Sequence, residues 1–151
     1  MVRRASRNRA GSSAAELADA LHSASIHLLR RLRREDEKTG VSPARLSALS
    51  VVVFGGPMRI SALARAEQVK TPTITPIVAA LERDGLITRQ VDQQDARAVV
   101  LRATPRGEKL MAEGRARRVG TLAAELRRLS PEEREVLRRA AGLIQQLSRL
   151  L

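Results

Sequence analysis

Apolar residues recur at helical spacing along most of the chain, and strand-like patterns are confined to one central stretch. A first helix is predicted from about Ala14 to Lys38, because leucines at helical spacing share one face and Gly40 follows as a stop signal. Ser42 and Pro43 form a start signal, an N-cap side chain followed by proline, for a second helix. The chain therefore opens with two consecutive helices.

The next stretch has the outline of a helix-turn-helix. Residues 58–60 are predicted to form one short strand, and Ser61 is predicted to cap a short helix that runs through Glu67. A tight turn at 69–73 leads into another helix, which Gly85 ends at its C′ position. That helix is amphipathic, with an apolar stripe of Ile74, Ile77, Val78 and Leu81. Two short helices joined by such a turn are typical of DNA-binding folds.

A β-hairpin and two helices complete the pattern. Residues 86–91 and 98–103 are rich in β-formers, and the polar segment 92–97 between them predicts a hairpin tip. Thr104 and Pro105 start a helix that runs to about Arg128. The segment 130–133 is a capping box for the last helix, whose apolar face is wide. A stripe of that width on a terminal helix predicts a partner chain.

The charge of the chain indicates a polyanionic partner. The net charge is +12, from 28 Lys and Arg against 16 Asp and Glu, and the excess is almost all arginine. Nucleic acid is the commonest such partner, and an anionic membrane surface is the next. A genome-wide bias towards Arg and Ala is the alternative explanation. Residues 1–13 are predicted to be a disordered basic arm carrying Arg3, Arg4, Arg7 and Arg9.

The composition excludes several other classes of function. There is no cysteine, so disulfides, cysteine-based zinc sites and thiol redox sensing within the chain are ruled out. His22 and His27 are five residues apart, off a common helical face, and no metal or cofactor is expected. No catalytic motif is present, so the chain is not expected to be an enzyme. Without a signal peptide or a long apolar run, a cytoplasmic location is expected. Phe54 is the single aromatic residue. Because proteins that bind single strands stack bases on aromatic side chains, this scarcity favours duplex DNA.

An ordered set of residues over about 45 positions resembles the signature of the MarR family of bacterial regulators. The matching positions are Leu81, Glu82, Gly85, Leu86, Arg89, Asp95, Arg97, Ala103, Thr104 and Gly107. The resemblance implies a mainly α fold with a small β-hairpin wing: a winged helix-turn-helix lobe at 42–103 and a helical dimerisation lobe at 14–41 and 104–151. It also implies a transcriptional regulator, most often a repressor, that binds palindromic DNA as a homodimer. Many such proteins release DNA when a small phenolic or anionic ligand binds. Which residues would bind that effector is unknown.

Two positions depart from the family pattern. Pro76 stands where the family often has arginine, inside the recognition helix. Because proline is unfavourable beyond the first turn, the helix is predicted to start at Thr73 and not at Thr71. One base-reading arginine is then missing. Ala103 replaces the usual leucine, which is a change of packing only.

Candidate DNA contacts lie on the recognition helix and the wing. They are Lys70, Thr71, Thr73, Thr75, Ala79, Arg83, Gln93, Gln94 and Arg97. Threonine hydroxyls can bond phosphates or base edges, and threonine and alanine methyls suit thymine. Arg97 is placed to enter a narrow minor groove. Arg89, Asp92 and Asp95 are predicted to stabilise the wing. The alternatives are that the threonines are caps or solvated surface, and that Arg97 pairs with Asp92 or Asp95.

Other functions remain open at this point. A non-specific architectural DNA-binding protein would share the charge and the arm. An RNA-binding winged helix and a helical module that binds an acidic protein are further alternatives. The ratio of specific to non-specific affinity at fixed salt separates a regulator from an architectural protein.

Overall fold

The protein is described by a computed structural model that covers residues 13–91 and 99–150. Within these ranges it contains six helices and one two-stranded antiparallel sheet. In chain order they are α1 (Ala14–Glu37), α2 (Pro43–Gly55), α3 (Ile60–Ala66), α4 (Thr71–Arg83), β1 (Ile87–Val91), β2 (Val99–Ala103), α5 (Pro105–Leu126) and α6 (Pro131–Leu147). The mainly α fold with a small hairpin is confirmed. The basic arm at 1–12 and the wing tip at 92–98 lie outside the described residues.

Side-chain caps fix three of the six helix starts in the described residues, those of α1, α5 and α6. The Thr104 hydroxyl accepts a hydrogen bond from the backbone N–H of Gly107 at 3.1 Å. Ser130 and Glu133 form the predicted capping box, each bonding the other's backbone N–H. Ser42 differs from prediction: it occupies the N-cap position, but its hydroxyl accepts from the Arg45 side chain at 3.3 Å and makes no backbone cap. The start of α2 therefore relies on the fixed φ of Pro43.

The region before α3 corrects two predictions. Met58 forms a single antiparallel bridge with Leu101, with hydrogen bonds of 3.1 and 2.8 Å, and the chain turns helical at Ile60, so residues 58–60 are not a strand. Ser61 is not the cap, because Arg59 has the extended backbone of an N-cap and its carbonyl accepts from the N–H of Leu63 at 3.1 Å. The N-cap therefore lies two residues before the predicted Ser61.

The apolar core lies in the central part of the chain. The buried side chains of the described residues are Ala48, Leu49, Val52, Leu63, Ala64, Ile74, Val78, Leu81, Leu86, Ile87, Leu101 and Met111. They come from α2, α3, α4, the turn before β1, both strands and the first turns of α5. Helix α2 is central, since it packs against α3, α4, α5 and β2. This core orients α4, whose buried stripe is the predicted one.

Helices α1 and α6 lie outside this core. Neither buries a residue within the described chain. Helix α1 packs along α5, where Asp36 and Arg118 form an ion pair beside the buried Gly114. A hydrogen bond from Lys38 holds the pKa of Glu35 below its usual value at the same crossing. None of the helices in residues 13–91 and 99–150 is long and apolar enough to span a bilayer.

A tight junction joins α5 to the turn between α4 and β1. The Thr104 hydroxyl donates to the Gly85 carbonyl at 2.7 Å, and the Thr104 N–H donates to the Leu86 carbonyl at 3.1 Å. Gly107 lies against the same turn, and a Cβ on it would overlap the Leu86 carbonyl oxygen. Only glycine allows the first turn of α5 to approach this closely.

We predict that Gly107→Ala lowers the free energy of unfolding by about 3 kcal/mol, because the added methyl forces α5 away from the Leu86 carbonyl. Gly120→Ala is the matched control in the same helix, where a Cβ meets no atom within 4 Å. It should raise stability by up to about 1 kcal/mol through helix propensity. Denaturant unfolding of both variants checks this. Equal effects would show that the close approach at Gly107 is not constraining.

Candidate nucleic-acid interface

The turn between α3 and α4 sets the angle at which α4 leaves the core. Gln68 has φ 55°, the left-handed region, and is the only non-glycine residue of the described chain with positive φ. The Val69 N–H donates to the Ala64 carbonyl at 2.9 Å, closing the end of α3. The left-handed residue reverses the chain within one position, so that α4 begins at Thr71. The predicted helix-turn-helix is confirmed.

The start of α4 differs from the sequence prediction. The helix begins at Thr71 and not at Thr73, and Pro76 lies inside it. Pro72 is in the first turn, where its missing N–H has no intrahelical role. Pro76 leaves the carbonyl of Pro72 without its usual helical donor, but the buried stripe of α4 holds the helix in place. Burial of that stripe outweighs the local penalty of one proline.

Helical geometry defines what α4 presents to the outside. The face opposite its buried stripe carries one row of exposed residues, here named the outer row: Pro72, Pro76, Ala79 and Arg83. Thr73 and Thr75 are exposed on opposite flanks of this row. The Thr75 hydroxyl donates to the Thr71 carbonyl at 2.8 Å. Its one hydrogen is therefore engaged within the helix, and its methyl group stays on the surface.

All the candidate DNA contacts on the helix are exposed. They are Lys70, Thr71, Thr73, Thr75, Ala79 and Arg83. Lys70 precedes the first turn and Arg83 ends the last, and neither forms an ion pair with another residue in 13–91 or 99–150. The face therefore carries an unpaired cation at each end and a largely apolar middle. The candidates Gln93, Gln94 and Arg97 lie outside the described residues, as do Asp92 and Asp95.

Two ion pairs attach the C-terminal end of α4 to its surroundings. Arg89 of β1 bonds Glu82 of α4 at 3.0 Å, which ties the wing strand to the helix. Arg45 of α2 bonds Asp84 at 2.7 Å, just after α4. Sequence reasoning singled out Glu82 and Arg89 through the resemblance, but it missed Arg45 and Asp84, whose 39-residue separation gives no local signal. The stabilising role predicted for Arg89 fits its position and stays a prediction.

The base of the wing has a fixed register. Ile87 pairs with Ala103 and Val91 with Val99. The Arg102 side chain donates across the strands to Gln90 at 3.0 Å. Ile87 and Leu101 are buried against the core, so the two strands cannot slip by one residue without exposing them. The hairpin is thus aimed by the same core that positions α4.

Two further features bear on what the site can bind. No group of His, Cys, Asp and Glu suited to a metal ion is found among the described residues. An open cavity of about 270 Å³ lies between the end of α2 and the middle of α5. Its lining is mainly apolar, with Glu108 and Arg115 as charged groups and Phe54 at its edge. The cavity is separate from the exposed face of α4.

Comparison with known proteins finds a consistent set of relatives. The model of the MarR family matches residues 41–99. The HTH-type transcriptional regulator ML2140 of Mycobacterium leprae is 35% identical over 89% of this chain and 94% of its own length. The HTH-type transcriptional repressor MdtR of Bacillus subtilis is 33% identical over 64% of this chain and 63% of its own. The structure of a MarR family protein from Bacillus stearothermophilus superposes with a TM-score of 0.75 at 27% identity, covering 89% of this chain and 94% of that one.

We predict that Pro76→Ala stabilises the isolated protein by about 1–3 kcal/mol, because alanine restores the helical donor to the Pro72 carbonyl and removes the clash of the ring. Pro72→Ala is the matched control, and its effect should stay within about 0.5 kcal/mol because that position needs no donor. Thermal unfolding of both variants gives the comparison. If Pro76→Ala is less stable than the parent, the proline ring stabilises α4 and this prediction is wrong.

Proposed function

Because the chain belongs to the MarR family of transcriptional regulators, we propose that it is a repressor that binds a palindromic DNA operator as a homodimer. Members of the family are DNA-binding regulators and not enzymes. The repressor role rests on the relative MdtR, which is named as a repressor. The single observation that carries the proposal is the exposed face of α4, the second helix of the helix-turn-helix, with Lys70 before its first turn and Arg83 at its end.

Apolar surface on the outer helices supports the homodimer. Large side chains that stay about half exposed or more are Leu17, Leu28 and Leu29 on α1, with Val136, Leu143 and Leu147 on α6. Helix α6 has no extensive packing partner among the described residues. An isolated soluble chain rarely leaves so much contiguous apolar surface in water, and a second copy would bury it. A two-fold dimer then places two α4 helices about one DNA turn apart, roughly 34 Å.

The charges support DNA as the partner. Lys70 precedes the outer row and Arg83 is its last member, and the arginines of residues 1–9 add positive charge outside the described residues. In a helix-turn-helix, the second helix enters the major groove with its N-terminal residues towards the bases. Thr71 and Thr73 at that end can bond phosphates or base edges, while the arm supplies affinity without sequence preference.

Release by a small phenolic or anionic ligand belongs to the same proposal. The cavity between α2 and α5 supports it, because an apolar lining with Arg115 at one side suits an aromatic acid. Helix α5 reaches from this cavity to the junction with the α4–β1 turn. A ligand that displaces α5 would therefore change the position of α4 in the dimer.

Selection of bound sequences from a random duplex library tests the function. We expect an enriched palindrome, and sedimentation at micromolar concentration should give a dimer. A regulator should prefer its operator over random duplex by at least about 10³ at fixed salt. Uniform enrichment of all sequences would indicate an architectural protein, and a monomer that binds single half-sites would contradict the dimer.

We predict that Arg97→Ala and Thr73→Ala weaken binding in different ways. Arg97→Ala should weaken all operators together and reduce any preference for A·T-rich flanks, since narrow minor grooves attract the guanidinium. Thr73→Ala should act at one or two base pairs of each half-site, by about 1–3 kcal/mol or less. Binding of each variant to operators with single-pair changes, at one salt concentration, checks this. Unchanged affinity of Arg97→Ala everywhere would remove the wing from the interface.

A further inference from the structure

The middle of the α4 face lacks the groups that usually recognise bases. Between Thr73 and Arg83 the exposed positions of this fully described helix offer no free side-chain donor. Thr75 donates its hydrogen to the Thr71 carbonyl, and Glu82 is an acceptor engaged with Arg89. Pro76 and Ala79 contribute only carbon atoms. A base edge that faces this part of the helix meets an apolar surface.

Base pairs differ strongly in how they tolerate such a surface. G·C and A·T pairs each present three hydrogen-bonding groups in the major groove, but a G·C pair has no methyl group, so an apolar neighbour leaves its polar groups unpaired and gains no apolar contact in return. Thymine presents a C5-methyl group beside its single acceptor. Contact between that methyl and the ring of Pro76 removes apolar surface from water on both sides. The chemistry of the surface therefore favours thymine.

The position of Pro76 strengthens this argument. Proline inside a helix is unfavourable, and here the ring is exposed, so burial of the ring itself within the described chain does not account for its presence. The outer row also continues the surface, because Pro72 and Ala79 lie one turn to either side. Lys70 and Arg83 at the two ends bring positive charge that can hold the helix against the phosphates. An apolar patch framed by cations fits the floor of a major groove.

We propose that Pro76, together with Ala79 and the methyl group of Thr75, recognises thymine C5-methyl groups in the major groove of each operator half-site. The inference rests on the proposed function, since it names what the recognition helix selects. It assigns specificity at the centre of α4 to apolar contact and not to donated hydrogen bonds. The amino end of the helix keeps its polar contacts through Thr73.

The test replaces thymine by deoxyuridine, which lacks only the C5-methyl group. Each thymine of the selected operator is replaced singly and symmetrically in both half-sites, and binding to the full-length dimer is measured at fixed salt. At one or two positions per half-site, affinity should fall about fourfold for each methyl removed, or roughly fifteenfold for the symmetric pair. Replacement at thymines in the flanks should have no effect.

Variants of the protein show which side chain causes the preference for thymine over uracil. Pro76→Ala should reduce the thymine-to-uracil ratio at the sensitive position to about twofold or less for each half-site. Arg83→Ala is the matched control on the same helix, and it should weaken both operators while leaving that ratio unchanged. Pro76→Arg should shift the selected base at that position to guanine, because arginine bonds both guanine acceptors.

The outcomes separate the two proposals. Tight binding to an operator that is insensitive to deoxyuridine at every position, or that carries guanine beneath Pro76, overturns the inference and leaves the regulator function standing. If no sequence is enriched, the proposed function fails. In that case the affinity of the protein is compared between two random duplex pools, one synthesised with thymine and one with uracil. Equal affinity for the two pools overturns the inference as well.

Discussion

The burial of apolar side chains between α2, α4, the two strands and the start of α5 is the interaction on which the rest of the structure depends. It sets the rotation of α4 about its axis, because Ile74, Val78 and Leu81 must face inwards. Burial of these three side chains therefore determines which residues of α4 face outwards. It also fixes the strand register, so the wing and the recognition helix are oriented by one shared core.

The same core explains why two costly local features survive in the central lobe. Gln68 holds a left-handed backbone just after α3 and Pro76 lies inside α4, and both of these helices bury apolar side chains in the core. The outer helices α1 and α6 lack such burial, since neither has a buried residue within the described chain. Burial is thus uneven along the sequence, and the central lobe that carries α4 is the better packed part.

Periodicity was enough to predict every described helix and the hairpin, because amphipathic stripes and caps such as Ser130 are local signals. Helix starts were less predictable. The hydroxyl of Ser61 predicts an N-cap there, and Pro76 predicts that α4 starts at Thr73. In the structure the first carbonyls that accept helical hydrogen bonds are those of Arg59 and Lys70. The pairing of Arg45 with Asp84 joins residues distant in sequence and could not be foreseen. The predicted wing-tip contacts remain predictions.

The junction at Thr104 and Gly107 makes α5 a lever. Its first turn is bonded to the segment that follows α4, so the two move as one body, while the 22 residues of the helix extend about 33 Å away from that pivot. A tilt of about 3° moves the far end of such a helix by roughly 1.7 Å. Conversely, a displacement of that size at the far end would tilt the first turn of α5 and the residues bonded to it by the same angle. Mechanical coupling between distant parts of this protein therefore requires no bending of the core, only a stiff helix and one glycine.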